Sequence, residues 1–414
     1  MNIFITDELN GLKCYMCEQY QGTQDDAKDN NDDKNIRGVI KDTVLSKKCD
    51  NDICHLELKE VVVCKSFGYT PEIVETNIES LETIIKPLLS PASRFFKSLE
   101  GTILRVWNYG GNWYLSTHRK INAFKSRWGH QDSFGTLFCR ALLVGQPPTQ
   151  NSPEDIFRAY VKQLNPDKVY VFLLQSFQEN RKVCTGGPDP VLYSSGSFER
   201  SKDFLYSLDN PECGLPLMPE EIISSSATSS GDEVLIVLKD LVSKQHFNSY
   251  QGIFIVNPDG QTGKIINAGY DYMDKLRGNV ENVLYRYVQL RPTPQYYDYL
   301  SLYPEYRLAF EKWENVMGRI FNNIYTQFLK RLRKETGLLH PDQNSILNRV
   351  FSKLLKGPKN KTAFLNTMNS LDERELNHMY KSYMYRESTH GNGNVIPKEL
   401  EDKMLESLKK KQNT

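Results

Sequence analysis

The sequence predicts an α+β protein. A strand-rich region of mixed, mainly antiparallel sheets flanked by helices runs to about residue 292, followed by a small all-helical domain over 293–388 and a basic tail over 389–414. Three observations predict it. Ile103–Trp107 and Trp113–Ser116 are β-branched and aromatic runs joined through Gly110 and Gly111, a hairpin signal. VYVFLLQSF (Val169–Phe177) is an unbroken apolar run of strand length, and Gln251–Tyr270 reads as strand, Asp259-Gly260 turn, strand. Beyond Pro294 the apolar residues change step: Leu308, Phe310, Trp313, Val316, Ile320, Ile324, Phe328 and Leu332 recur at mostly three- and four-residue spacing, which is helical.

The remaining elements follow in order. Residues 21–35 are acidic and nearly free of apolar side chains, so they read as a flexible loop between strands at Arg37–Thr43 and Leu56–Ser66. Ile78–Lys86 reads as a short helix stopped by Pro87. Helices are expected over Ser133–Leu143, where Phe134, Leu137, Phe138 and Leu142 share a face, and over Pro153–Leu164, where proline stands in the first turn. The segment from Glu179 through Cys184 is expected to turn into another strand, 224–231 to be a Ser-rich loop, Asp232–Lys244 a capped helix and Tyr285–Arg291 a strand. Asn344–Leu355, Asn360–Ser370 and Glu373–Tyr385 complete the helical domain, and Lys398–Lys411 is a tail helix or a disordered tail.

A chain of 414 residues has room for two or three domains. With 52 Lys and Arg against 51 Asp and Glu, no global field steers a polyanion, so contact with nucleic acid has to come from local patches. No apolar run approaches the roughly 18–20 residues of a spanning helix, and the N-terminus lacks the order of a secretory signal. An intracellular protein with reduced thiols and no membrane partner is expected. Cys14 and Cys17 form a CxxC, with Cys49, Cys54 and His55 downstream. Four such ligands converging would suit zinc, whereas scattered thiols near a strand edge need no metal, and no metal ligand is assigned.

The segment SLEGTILRVWNYGGNWYLSTHRKINAFKSRWG, residues 98–129, places an acid-glycine pair before the hairpin and a cationic cluster after it. It resembles the first signature of the covalent nucleotidyltransferases, the polynucleotide ligases and capping enzymes, and is most similar to the RNA ligase 1-like branch found in large DNA viruses. That resemblance implies a ligase adenylation-like fold, a nucleoside triphosphate (ATP or GTP) with Mg if the chain is active, RNA as a partner, and a cytoplasmic or virus-associated setting. Four further segments agree in order: Arg37-Gly38; the run through Phe172 to Asn180-Arg181; Gln251-Gly252 before an apolar strand; and Lys264 ahead of Tyr270. The family lysine that carries the nucleotide stands two residues before the acid. Here the acid is Glu100, followed by Gly101, and the lysine position holds Ser98. Two family carboxylates correspond to Leu173 and Gln251, and a second phosphate-binding lysine to Ile266.

Each departure removes a physical function. Serine without a neighbouring base is a poor nucleophile. An amide at Gln251 gives a metal no hard anion. Isoleucine at 266 opposes no developing phosphate charge. Lys97 is one residue from the required place, but adjacent strand side chains point to opposite faces. The resemblance therefore implies nucleotide- or phosphate-binding roles for Arg37, Glu100, Gly101, Arg119 and Lys264. A polyanion groove would use Arg105, Lys120, Arg127, Arg277 and Arg286. Lys97 is the one catalytic candidate, and Trp107, Trp113 and Trp128 are either base-stacking or packing residues. Three readings stay open: a ligase-like scaffold without catalysis that binds RNA or nucleotide or joins a viral assembly; an active RNA ligase or capping-type enzyme using Lys97; and a structural virion or interaction protein whose pocket is filled by Trp107, Leu173 and Ile266.

Overall fold

Alternating apolar residues on three sheets set the layers of the N-terminal region. The computed structural model describes residues 3–17, 36–50, 53–178 except 130 and 148, 181–219, 231–354 except 336, and 357–404 except 392, 395, 397, 399 and 400; for 47–50 and 53–55 it describes the backbone alone. The expected loop at 21–35, residues 224–230 of the expected Ser-rich loop, Glu179 and Asn180, and most of the tail lie outside the described residues. The chain divides into two compact units, Met1–Lys275 and Leu276–Thr414.

In the first unit, β1 (Ile3–Leu9), β2 (Leu12–Cys17), β3 (Arg37–Asp50) and β4 (Ile53–Cys64) form an antiparallel meander. β5 (Glu72–Val74) and β6 (Arg94–Ser98) belong to a second sheet with β12 (Gly252–Val256) and β13 (Thr262–Ile266), in the order β5-β13-β12-β6. Its β5–β13 pair is parallel and the others are antiparallel. The third sheet is antiparallel, with β7 (Thr102–Tyr109), β8 (Asn112–Ser116), β9 (Lys168–Gln175), β10 (Val191–Glu199) and β11 (Leu205–Ser207) in the order β11-β10-β9-β7-β8.

The two-residue period decides what each face packs on. Val169, Val171 and Leu173 of β9 meet Trp107, Phe198 and residues of the other two sheets, including Ile40, Val63, Phe96 and Phe254. Tyr170, Phe172 and Leu174 point the other way, onto α1 (Phe134–Leu142) and α2 (Pro153–Tyr160). Both helices are capped: Ser133 accepts from Thr136 N, and Ser152 accepts from Asp155 N just before Pro153. On the second sheet, Phe96 and Phe254 face the shared core, while Ile253, Ile255 and Ile265 face α3 (Gly231–Lys244). The expected helix at 78–86 is broken into an α-turn at Ile78–Ser80, a π-turn at Leu81–Ile85 and a 3-10 turn at Lys86–Leu88.

Two expected strands are corrected. Tyr285–Arg291 is not a strand: α5 (Val283–Leu290) is a helix whose start is fixed by Asn282 accepting from Tyr285 N at 2.8 Å, and it buries Tyr287, Val288 and Leu290. The capping asparagine and one buried face override the β-propensity of Tyr and Val. The segment after Arg181 forms no strand up to Pro190 among the described residues; the next strand is β10, rich in serine and unexpected from the sequence. α4 (Ala268–Arg277) was not expected either. With α5 helical, the second unit begins well before residue 293. It continues through α6 (Tyr296–Leu302), α7 (Arg307–Leu332), α8 (Pro341–Leu354), α9 (Lys361–Asn369) and α10 (Glu373–His390). In α7 Phe310, Trp313, Val316, Ile320, Ile324 and Phe328 of the sequence periodicity are buried, joined by Met317 and Phe321, whereas Leu308 in the first turn is exposed.

Candidate functional site

The floor of the candidate site is a chain of hydrogen bonds between strands that are distant in sequence. Ser98 ends β6 directly opposite Gly252 at the start of β12, which brings Gln251 beside it. Ser98 Oγ donates to Gln251 Oε1 at 2.9 Å, and Lys264 Nζ donates to the same oxygen at 3.1 Å. Gln251 Nε2 donates to Tyr270 Oη at 2.9 Å, and Tyr270 in turn donates to Glu100 Oε2 at 3.4 Å. Two donors at one end of the amide and an acceptor at the other fix its orientation. Burial, then the charges of Glu100 and Asp274, push the Tyr270 phenol far above its ordinary range, so it acts as a neutral donor.

Glu100 is 6% exposed and already committed. Its carboxylate accepts from the backbone N–H groups of Lys182, Val183 (2.9 Å) and Cys184 (2.9 Å), fastening the segment that follows Arg181. Its own carbonyl accepts from Gln175 Nε2 at 3.0 Å. Gly101 lets this corner close: a Cβ there would lie 2.6 Å from the Leu174 carbonyl oxygen and 2.9 Å from Leu173 Cδ1. Leu173, where the family resemblance would place a carboxylate, is buried in the shared core, and Ile266 is buried as well.

Above this floor the side chains are charged. The parallel β5–β13 pairing sets Glu72 directly beside Lys264, and Lys264 Nζ donates to Glu72 Oε1 at 2.7 Å. The Glu72 side chain is 56% exposed, and the protein packed around it would raise its carboxyl, but the Lys264 ammonium, then Arg37 and Lys182, outweigh that and hold it below the usual carboxylate range. Burial lowers the Arg37 guanidinium, which feels Glu72, Tyr69 and Arg119. Lys182 Nζ reaches Asp274 Oδ1 at 3.2 Å. Four cations, Arg37, Arg119, Lys182 and Lys264, thus share one region with two carboxylates, Glu72 and Asp274. His118 lies nearby, its Nε2 3.4 Å from Ser66 Oγ, and burial, Arg105 and Arg37 hold it well below its ordinary range and therefore neutral.

The structure places the other expected residues as follows. Lys97 pairs with Ile253, so it lies on the α3 side of its sheet while Ser98 lies on the other, and its Nζ sits 5.3 Å from the centroid of the Tyr250 ring. Arg105 and Arg277, expected to line an RNA groove, are core side chains 0% and 1% exposed. Arg105 donates to the carbonyls of Gly38 and Thr117, and Arg277 to those of Val280 and Glu281, so neither offers its guanidinium to a ligand at the surface. Gly38 has φ 69°, and a Cβ there would lie 2.7 Å from His118 O, so the Arg105 clamp requires glycine. Arg286 donates to Leu276 O at 2.9 Å within the second unit. Lys120 is exposed and pairs with Asp7, and Arg127 is exposed. Trp107 is fully buried and stacked on Tyr114, and Trp113 and Trp128 pack against the helical layer.

Among the described residues no group of three His, Cys, Asp or Glu is placed to hold a metal, and the Glu100 carboxylate accepts from backbone N–H groups. Cys14 and Cys17 are buried, while the side chains of Cys49, Cys54 and His55 lie outside the described residues. No described helix is long and apolar enough to cross a membrane. Glu72, Lys182, Asp274 and Tyr69 were not anticipated; they carry no motif, and Glu72 reaches the region by strand pairing while Lys182 and Tyr69 come from loops and Asp274 from α4.

No family model matches the chain. It is 30% identical over 248 residues to the "Immediate-early protein ICP-46 homolog" of Invertebrate iridescent virus 3, covering 59% of this chain and 51% of that protein. To the protein of the same description in Invertebrate iridescent virus 6 it is 23% identical over 280 residues, 66% of this chain and 61% of the relative. The chain thus spans between half and about three-fifths of the length of these curated relatives. Among solved structures it is similar to an archaeal ATP-dependent RNA ligase (TM-score 0.36, 10% identity, 93% of this chain and 84% of that chain). Others are a putative ATP-dependent DNA ligase from Aquifex aeolicus (TM-score 0.34, 15% identity, 86% and 85%) and an RNA ligase mutant of Naegleria gruberi with AMP and Mn (TM-score 0.32, 11% identity, 50% and 58%).

Proposed function

We propose that the chain is a ligase-like nucleotidyltransferase that no longer transfers nucleotides and instead binds RNA or a nucleotide through the cationic cluster about Lys264, alone or as a subunit of a viral assembly. One observation carries this reading: a self-satisfied floor, Ser98–Gln251–Tyr270–Glu100, lies beneath a rim with more cations than carboxylates. A covalent intermediate needs an amine that can reach the α-phosphorus and a metal held by hard anions. The floor supplies a serine hydroxyl that already donates to an amide, and a carboxylate already bonded to backbone N–H groups. Phosphate binding needs only positive charge and donors, which the rim has.

The active reading would use Lys97, but its position on the α3 side of the sheet speaks against it. Burial of Trp107, Leu173 and Ile266 fits a protein whose pocket is partly filled by its own side chains, and so favours binding or assembly over turnover.

The test is incubation with α-labelled ATP or GTP and Mg or Mn, then denaturation. No protein-bound label is expected, while filter binding should retain RNA in a salt-sensitive manner. A covalent adduct that disappears in Lys97→Ala overturns the proposal in favour of a working ligase. Loss of RNA and nucleotide retention at low salt leaves only the assembly role.

A further inference from the structure

The β3–β4 hairpin extends past the rest of its sheet. β2 pairs with β3 only over Arg37 to Lys41, whereas β3 and β4 continue to the pair Asp50–Ile53. Among the described residues the arm beyond Lys41 is a two-stranded ribbon, an arrangement with little stability of its own in water. Leu45 lies directly opposite Leu58, and the next pair on that face sets Leu56 opposite Lys47. These leucines are 67%, 72% and 68% exposed. β4 is an edge strand in its sheet among the described residues, so its outer row of N–H and C=O groups has no strand partner there. A ribbon with a leucine face and an open edge calls for a third strand.

The chemistry of the edge selects the occupant. When two copies of one strand pair antiparallel about a two-fold axis, residues directly opposite must turn their backbone groups the same way, so each permitted register is centred on a residue. Centring on Glu57 sets Glu57 against itself, and centring on Lys59 sets Lys59 against itself; like charges directly opposite destabilise a sheet. Centring on Leu58 sets Glu57 opposite Lys59 of the second copy, twice, and brings the two Leu58 side chains together on the leucine face. Leu45 and Leu56 of both copies then flank that contact. We infer that the β4 edge is a self-association surface, joining two copies of this chain through an antiparallel pair centred on Leu58.

The test is sedimentation across a concentration series, with charge reversal at exposed positions that leave the core untouched. The full chain is expected to dimerise. Glu57→Lys alone and Lys59→Glu alone should each raise the dimer Kd by about tenfold or more, because two attractive cross-strand pairs become repulsive. The double variant, which swaps both charges, should restore dimerisation. A single monomeric species up to about 0.1 mM, where a Kd of about 10 µM would already be evident, overturns the inference. So does a dimer that neither single change weakens, or one that the double variant fails to restore.

Discussion

The floor and the rim of the candidate site are built on opposite electrostatic principles. On the floor, Ser98, Gln251 and Tyr270 are neutral, buried or nearly so, and mutually hydrogen-bonded, and the one charge, Glu100, is neutralised by backbone dipoles. On the rim, Glu72 is exposed and Arg37, Lys182 and Lys264 surround it, with Arg119 close by. Floor residues are held by geometry and tolerate no new charge; rim residues are held by charge and tolerate changes of shape. The floor should therefore respond to mutation through stability, and the rim through ligand affinity.

The largest effect is expected at Glu100. Glu100→Ala orphans three backbone N–H groups that a buried carboxylate now satisfies, at about 1–3 kcal/mol each before water enters. A net loss of about 4 kcal/mol in urea unfolding is expected, with proteolysis reporting release of residues 181–184. A loss below about 1 kcal/mol would place the carboxylate on the ligand-responsive side of the comparison.

Ser98→Lys comes next. It puts an ammonium at a position 2% exposed, beside Lys264 and facing an amide. About 3 kcal/mol of destabilisation is expected, and adding Gln251→Glu should recover most of it by giving both lysines an anion. If the single variant is as stable as the parent, the floor is wetter and looser than its hydrogen bonds imply.

His118 gives the third effect. Its folded-state value lies below its unfolded value, so folding releases a proton and the associated stability is complete only above the unfolded value. As pH falls below about 6.5 the unfolded chain gains protons first and stability drops, by no more than about 1.4 kcal/mol per pH unit for one group. Unfolding midpoints between pH 7 and pH 5 should slope less in His118→Gln. An unchanged slope assigns the acid response to other groups.

Much of this arrangement was legible from the sequence. The hairpin about Gly110 and Gly111, the strand-turn-strand at 252–266 and the apolar step of α7 are local patterns that tertiary contacts reinforced. The motif order anticipated that residues 98, 100, 251 and 264 meet, although they are far apart in the chain. What the sequence hid depends on pairing between distant segments. Glu72 reaches Lys264 only because a three-residue strand runs parallel to β13, and a strand so short has no periodicity to read. Arg105 and Arg277 were misplaced because arginine is usually a surface residue, while the carbonyl cradles that accept their guanidiniums form only in the folded chain. α5 was misread because Tyr and Val favour strands in isolation, whereas a capped helix with one buried face satisfies both backbone and core.

The smallest expected effect is the sharpest test of the rim, because it changes sign. Lys264 is shared between Gln251 on the floor and Glu72 on the rim. Lys264→Ala removes one cation and leaves Glu72 less neutralised, so a phosphate-bearing ligand meets less attraction and an added repulsion. Affinity for RNA should fall about threefold to tenfold at low salt, and the salt dependence should shallow by about one counterion. Glu72→Gln leaves every cation in place and removes the competing carboxylate, so affinity should rise by a similar or smaller factor. Because Glu72 is exposed, neither change should cost much stability. Filter binding at two salt concentrations measures both. Opposite signs mean that the rim acts as an anion site in which Glu72 competes with the ligand; a parallel fall in both variants means that the Glu72–Lys264 pair merely holds β5 against β13.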